Sequence, residues 1–383
     1  MDINTTFSEY REKAPSKSEI HYWDLHPQLC VGFSSIPEKI KMKGKSITIG
    51  RLCSLVGKNS MLEKIISFMV TQKRLRRRLN IRFPFSIDNL YFVELYALMI
   101  SEGSFKTEFR LHVPENIFHN IFEKSLTGLF GDEIKDQIKQ KPEKNIMRTS
   151  APCSIRYFLP ITKHIPKFIL VNKEKCRRYL QIAFEAEGSP ILIKSKRYIS
   201  LKRNVDITHI LENKTHYIET KRIYTGQLEK DYPSLKNLVE DKPPLLLLGE
   251  KLILKHYFNI ASIMKLEAIR INKTNYRCGK ISARWALYIY ADSVNRFIKE
   301  INFLTKRKKD ITAKMLKIKG RNRQYFSLDV MKSIEKDGKI NTSDFVKKMK
   351  SKGYKSPMTY LWRYSKKGLI KRTKRGEYEL LIK

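Results

Sequence analysis

A chain of 383 residues can bury a sizeable core and divides most readily into two or three domains. Its 77 Lys and Arg stand against 38 Asp and Glu, a formal net charge of +39. An excess of this size calls for a polyanionic partner and fits counterion release from a phosphate backbone better than adsorption to a membrane surface. Cys30, Cys53, Cys153, Cys176 and Cys278 stand apart, without a CxxC pair or a Cys/His cluster, so neither a zinc module nor a disulfide framework is indicated. The polar start MDINTTFSEYREK is no signal peptide, and apolar runs such as Pro243 to Leu248 are too short to span a bilayer. A soluble protein of the cytoplasm, associated with the nucleoid, is expected.

Residues 1–88 read as an N-terminal helical region closed by the segment IRFPFSIDN. It carries the basic run KRLRRR at Lys73 to Arg78. Within it, Ile47 to Val70 has two short helical patterns around Gly57, either a helix-turn-helix or a plain helical hairpin. Residues 89–309 hold two unequal copies of one unit, 89–173 and 174–309. Each copy opens with an apolar helical run closed by Glu-Gly-Ser: LYALMISEG at Leu95 to Gly103 and LQIAFEAEG at Leu180 to Gly188. Strand-forming residues follow in both, FKTEFRLHV at Phe105 to Val113 and ILIKSKRYISLK at Ile191 to Lys202. The second copy goes on through a turn-rich segment to Pro244. After it come a helix over Leu247 to Phe258, strands near Lys265 to Asn272 and Ile281 to Ala291, and a helix from Asp292 to Lys306.

Residues 310–326 read as a basic linker, and 327–383 as a winged helix. Ser327 is placed to cap one helix ending at Gly338, and Thr342 or Ser343 a second ending at Gly353. A third helix begins at Ser356 and Pro357, and the tail LIKRTKRGEYELLI reads as a hairpin. On the third helix, Thr359, Arg363 and Lys366 share one side while Met358, Leu361 and Trp362 can face the core. Lys371, Arg372, Lys374 and Arg375 form the wing, suited to DNA phosphates.

A carboxylate at the C-terminal end of a helix is disfavoured by the macrodipole, so something must compensate Glu102 and Glu187. A shared Mg²⁺ would do so, since it is commonly held by one or two carboxylates plus substrate phosphates and promotes phosphodiester hydrolysis. Gly103 and Gly188 would permit the sharp exit from helix to strand, glycine accepting positive φ. Of the strand residues Lys106, Arg110, Lys194, Lys196 and Arg197, alternation puts Lys194, Lys196 and Tyr198 on one face and Ile193, Ser195 and Arg197 on the other. A DNA-facing ribbon is expected there.

LYALMISEG and LQIAFEAEG resemble the paired motifs of single-chain LAGLIDADG homing endonucleases, over about residues 88 to 310. The resemblance implies an α+β fold of two pseudo-symmetric αββαββα units whose first helices form the interface. It implies Glu102 and Glu187 as catalytic acids and, with Gly103 and Gly188, as the metal site of a Mg²⁺-dependent, site-specific nuclease. Double-stranded DNA is then the partner and a monomer the expected state. Ala97, Ser101, Ala183 and Ala186 suit the helix contact, whereas Ile182 stands where the family has a small residue. The alternatives are a non-cleaving transcription regulator that reuses the LAGLIDADG fold and an RNA-processing maturase.

Other constellations are weaker. Asp206 with Glu219-Thr220-Lys221 matches a restriction-type acidic, acidic-x-Lys spacing, which chance supplies in so basic a chain. The histidines His112, His119, His209 and His216 read as core or surface residues.

Overall fold

The computed structural model describes residues 1–33, 46–72, 75–79, 81–104, 109–143, 146–159, 164–193, 196–211, 222–271, 280–290, 292–317, 331, 335, 339–351, 356–366 and 369–381. It divides into two compact units, Met1–Lys317 and Ile318–Lys383. The protein is α+β.

The first 88 residues are not a helical region. Besides the short helices α1 (Phe7–Glu12) and α2 (Ile49–Val56) they hold strands β1 (Glu19–Ile20), β2 (Cys30–Phe33), β3 (Ser46–Thr48), β4 (Ile66–Gln72), β5 (Leu75–Leu79) and β6 (Phe85–Ser86). Four of these form a sheet in the order β3-β2-β4-β5. The second helix expected in Ile47 to Val70 is therefore the strand β4: the run ISFMVTQ is rich in β-formers, and pairing with β2 overrides its helical periodicity. Nor is this region a separate body. Tyr10 is fully buried, donating its hydroxyl to the Leu245 carbonyl at 2.9 Å and accepting the Ile165 amide at 3.1 Å.

Two units of like topology follow. The first runs α3 (Leu90–Glu102), β7 (Gly103–Ser104), β8 (Phe109–Val113), α4 (Asn116–Phe130), β9 (Lys139–Glu143), β10 (Ile146–Ala151) and α5 (Lys167–Leu170). The second runs α6 (Lys173–Glu187), β11 (Gly188–Ile193) and β12 (Lys196–Asp206). An excursion of α7 (Thr208–Leu211), β13 (Arg222–Tyr224), α8 (Thr225–Asp231) and α9 (Pro233–Glu240) interrupts it. It then resumes with α10 (Leu245–Phe258), β14 (Ile263–Ile271), β15 (Ile281–Tyr290) and α11 (Asp292–Glu300). The sheets are ordered β7-β8-β10-β9 and β11-β12-β15-β14, the second extended by β13. Each unit thus places its strands first, second, fourth, third.

The leading helices share a start as well as an end. Asn89 caps α3 by accepting the Phe92 amide at 2.8 Å, and Asn172 caps α6 by accepting the Lys175 amide at 3.1 Å. The helices pack against each other. Ala97, Ile182 and Ala183 are fully buried, so the bulky Ile182 is accommodated. Across the pair, Arg178 Nε meets Glu94 Oε1 at 2.6 Å, and Ser125 donates to the other Glu94 oxygen at 3.1 Å.

The helix expected from Asp292 to Lys306 is two helices. Asn302, at φ 59°, breaks the chain after α11, and α12 (Lys306–Lys317) begins anew. Met315 of α12 is fully buried, which places residues 310–317 in the first compact unit rather than in a linker.

The smaller unit has a core of Met331, Ile340, Phe345, Met349, Leu361, Tyr364 and Ile370. The helices Thr342–Ser351 and Met358–Lys366 lie with a sheet of β16 (Lys339–Asn341), β17 (Ile370–Lys374) and β18 (Glu377–Leu380), ordered β16-β18-β17. The expected hairpin is present as β17 and β18, and a third strand joins it. Asn341 does the capping expected of Thr342 or Ser343, its Oδ1 accepting the Ser343 amide at 2.8 Å. The helix proposed to start at Ser327 lies largely outside the described residues. No helix among the described residues is long and apolar enough to cross a membrane.

Candidate paired-carboxylate site and nucleic-acid interface

Glu102 is the last residue of α3 and Glu187 the last of α6, so the packing of these two helices brings their ends to one place. Burial raises the Glu102 carboxyl to about 7, and the nearby charge of Glu187 adds to the shift. Burial also raises Glu187, although 39% of its side chain reaches solvent. A carboxyl held up by burial and by a neighbouring carboxylate is one that a cation would relieve.

Two buried cations stand beside them, both missed in the sequence. Arg203, on β12 at 7% exposure, pairs with the fully buried Glu250 of α10 at 2.6 Å and approaches Glu187 at 3.9 Å. It also donates to the Ser101 hydroxyl at 3.4 Å. Lys308, on α12, donates to the Glu185 carbonyl and, at 2.8 Å, to the Gly188 carbonyl. Burial lowers its pKa, the nearby Glu185 opposing that shift. Glu185 itself starts α12, accepting the Leu304 and Thr305 amides at 2.6 and 3.2 Å, and so fixes where Lys308 lies. The motif LQIAFEAEG therefore holds two working acids: Glu187 faces the site, and Glu185 builds its wall.

The glycines serve differently from the expectation. Gly103 and Gly188 are extended, at φ −81° and −89°, so positive φ is not the reason for glycine. Close approach is: a Cβ would lie 2.6 Å from the Met99 carbonyl oxygen at Gly103 and 2.4 Å from that of Phe184 at Gly188. As metal donors, Glu102 and Glu187 suit a hard divalent ion, but the Gly188 carbonyl is already engaged by Lys308. No group of three or more His, Cys, Asp or Glu side chains among the described residues is placed to hold a metal.

The sheet faces carry the remaining candidates. Arg110 on β8 shares a face with His112 and, through the register, with Arg148, Lys139 and Lys141 of β10 and β9. The second hairpin of the first unit thus adds to the basic surface that begins on β8. Arg197 lies on the opposite face of its sheet from Tyr198 and donates to the Met315 carbonyl at 2.8 Å, binding α12 rather than facing outward. Lys106 and Lys194 lie outside the described residues, as does the side chain of Lys196.

On the small unit, Thr359, Arg363 and Lys366 are exposed along one helix. Trp362 and Met358 are exposed with them, at 57% and 50%, instead of entering the core, where Tyr364 stands. The Lys366 ammonium lies 4.4 Å from the centre of the Trp362 ring. Lys371, Arg372, Lys374 and Arg375 are exposed on β17 and its turn, Lys374 pairing with Glu377 at 3.0 Å.

The competing constellations are described only in part. Asp206 accepts the Thr208 amide and hydroxyl at 3.0 and 2.6 Å, while Glu219, Thr220 and Lys221 lie outside the described residues. His119 is a core histidine bonded to the Val113 carbonyl and Thr149.

No family profile matches the sequence, and no curated protein matches it. Solved structures do. The N-terminal LAGLIDADG domain of DUF199/WhiA is 12% identical with a TM-score of 0.30, over 58% of this chain and 88% of that one. Full-length DUF199/WhiA from Thermatoga maritima is 12% identical at 0.32, over 67% and 69%. I-DmoI in complex with DNA and Mn is 13% identical at 0.31, over 56% and 98%.

Proposed function

We propose that the protein binds double-stranded DNA and hydrolyses a phosphodiester at the Glu102 and Glu187 site with a divalent cation, Mg²⁺ in the first instance. The two carboxyls at the ends of the packed helices, Glu102 held up by burial and by the Glu187 charge, carry this reading. The net charge of +39 and the basic face of Arg110, Lys139, Lys141 and Arg148 support the choice of partner. Glu102 and Glu187 would hold the ion, which would supply Lewis acidity and a bound water of lowered pKa. Arg203 and Lys308 would neutralise the carboxylates and the phosphate brought against them. Arg110 on the sheet, with Thr359, Arg363, Lys366, Lys371, Arg372, Lys374 and Arg375 of the small unit, would grip the duplex backbone. A monomer with internal pseudo-symmetry needs no second chain to complete the acid pair.

One observation favours a second reading, a regulator that binds without cutting. The Lys308 ammonium on the Gly188 carbonyl and Arg203 beside Glu187 already bring positive charge to the end of α6. The experiment is cleavage of a selected duplex by wild type and Glu187→Gln, with affinity measured in Ca²⁺. Loss of Mg²⁺-dependent cleavage at unchanged affinity supports hydrolysis. Tight, specific binding by wild type that yields no nick in Mg²⁺ or Mn²⁺ assigns the protein to regulation.

A further inference from the structure

The outer face of the second sheet differs in kind from that of the first. Tyr198 of β12 stands opposite Tyr290 of β15, and Tyr288, two residues along the same strand, shares their face. All three pairs of ring centres are 5.7 Å apart, and Tyr288 and Tyr290 are stacked at 18°. The rings form one cluster, with Tyr198 inclined at 62° to Tyr288 and 44° to Tyr290. Tyr290 is 41% exposed, and Ile263, paired with Tyr288 across the strands, is 50% exposed. The surface is also held in place. The Tyr288 hydroxyl donates to the Glu267 carboxylate, whose other oxygen pairs with Lys202 at 2.9 Å.

The occupant of such a surface must offer flat apolar faces and negative charge together. A second copy of the chain carries the same charge of +39 and is repelled. A duplex keeps its base faces in its own stack and presents only edges and phosphates, which suits the polar first sheet and wastes tyrosines. An unpaired strand presents base faces to the rings and phosphates to the cations. Lys265 and Arg284 lie on the same face of β14 and β15 to meet those phosphates.

We propose that Tyr198, Tyr288 and Tyr290 form a stacking platform for about two or three bases of a single-stranded nucleic acid. The inference does not depend on Glu102 and Glu187 being catalytic. Its test is fluorescence anisotropy of the full chain with oligothymidylate and oligouridylate of about 15 nucleotides, and with a duplex at the same salt. Tyr198→Ala with Tyr290→Ala should weaken single-strand binding about tenfold or more. Duplex affinity and the salt slope should stay the same, because every cation that meets a phosphate is still present. Tyr198→Phe with Tyr290→Phe should keep single-strand binding, since the ring and not the hydroxyl is used, which also guards against misfolding of the alanine protein. The stronger of the two oligonucleotides identifies DNA or RNA as the natural source. Absence of single-strand binding by wild type, or equal loss for strand and duplex in the alanine protein, overturns the platform. A protein that binds single strands through these tyrosines and never binds duplex would leave the platform standing and remove the function proposed above.

Discussion

Glu102→Gln should stabilise the metal-free protein, and only above a certain pH. The carboxyl stands at about 7 in the fold against an ordinary 4.5. Below pH 4.5 it is neutral in both folded and unfolded chains and contributes no difference. Between 4.5 and 7 the unfolded chain releases the proton while the folded one keeps it, so stability falls as pH rises. Above 7 the cost is complete. At about 1.4 kcal/mol per pH unit the ceiling is about 3 kcal/mol, and partial solvent access reduces it to about 2 kcal/mol. Glutamine keeps the shape without the charge, so the variant should gain about 2 kcal/mol at pH 8 and almost nothing at pH 4.5. Urea unfolding of both proteins at the two pH values measures this, the pH dependence of other groups cancelling in the difference. Millimolar Mg²⁺ at pH 8 should narrow the gap by stabilising the wild type alone. An equal effect of the substitution at both pH values would refute the claim that burial and Glu187 hold this carboxyl up.

Glu250→Gln should cost about 3–5 kcal/mol in urea unfolding because it leaves the buried Arg203 guanidinium without its closest carboxylate. Adding Arg203→Met should recover much of that loss, and an additive double variant would show that the two do not interact. Gly249→Ala should destabilise by about 1–3 kcal/mol, since its Cβ would lie 2.4 Å from the Tyr10 hydroxyl. Tyr10→Phe in the same background should relieve part of that cost, and failure to do so would place the clash elsewhere. Arg363→Ala with Lys374→Ala should lower duplex affinity and reduce the log-log salt slope by about 0.9 for each phosphate no longer neutralised. An unchanged slope would show that the small unit does not touch DNA phosphates.

Much of the plan is local and so was legible in the residues. Each helix-Glu-Gly-strand unit is written in consecutive positions, from the apolar runs at Leu95 and Leu180 to the acids Glu102 and Glu187, whereas the Asn89 and Asn172 caps and the extended backbone at Gly103 and Gly188 were not read there. Net charge needs no structure, and the two described helices and the closing hairpin of the small unit follow from periodicity and turn residues, although the strand Lys339–Asn341 does not. The region before residue 88 was misread because a short apolar run serves helix and strand equally until a partner strand decides. Trp362 was misread because Tyr364 fills the same core, and one helix face cannot bury both.

What only the tertiary structure decided is the company the acids keep. Arg203, Glu250 and Lys308 come from a strand and two helices spread over more than a hundred residues, and among 77 basic residues nothing in the sequence marks the two that enter the site. Glu185 looks like a spare acid of the motif until α12 starts on it. Tyr198, Tyr288 and Tyr290 become one cluster only through the register of β12 on β15. The sequence by itself determined the two leading helices, their terminal carboxylates and the net charge, because these depend on composition and on neighbours along the chain. Charge pairing, desolvation and ring stacking depend on neighbours in space, and those belong to the fold.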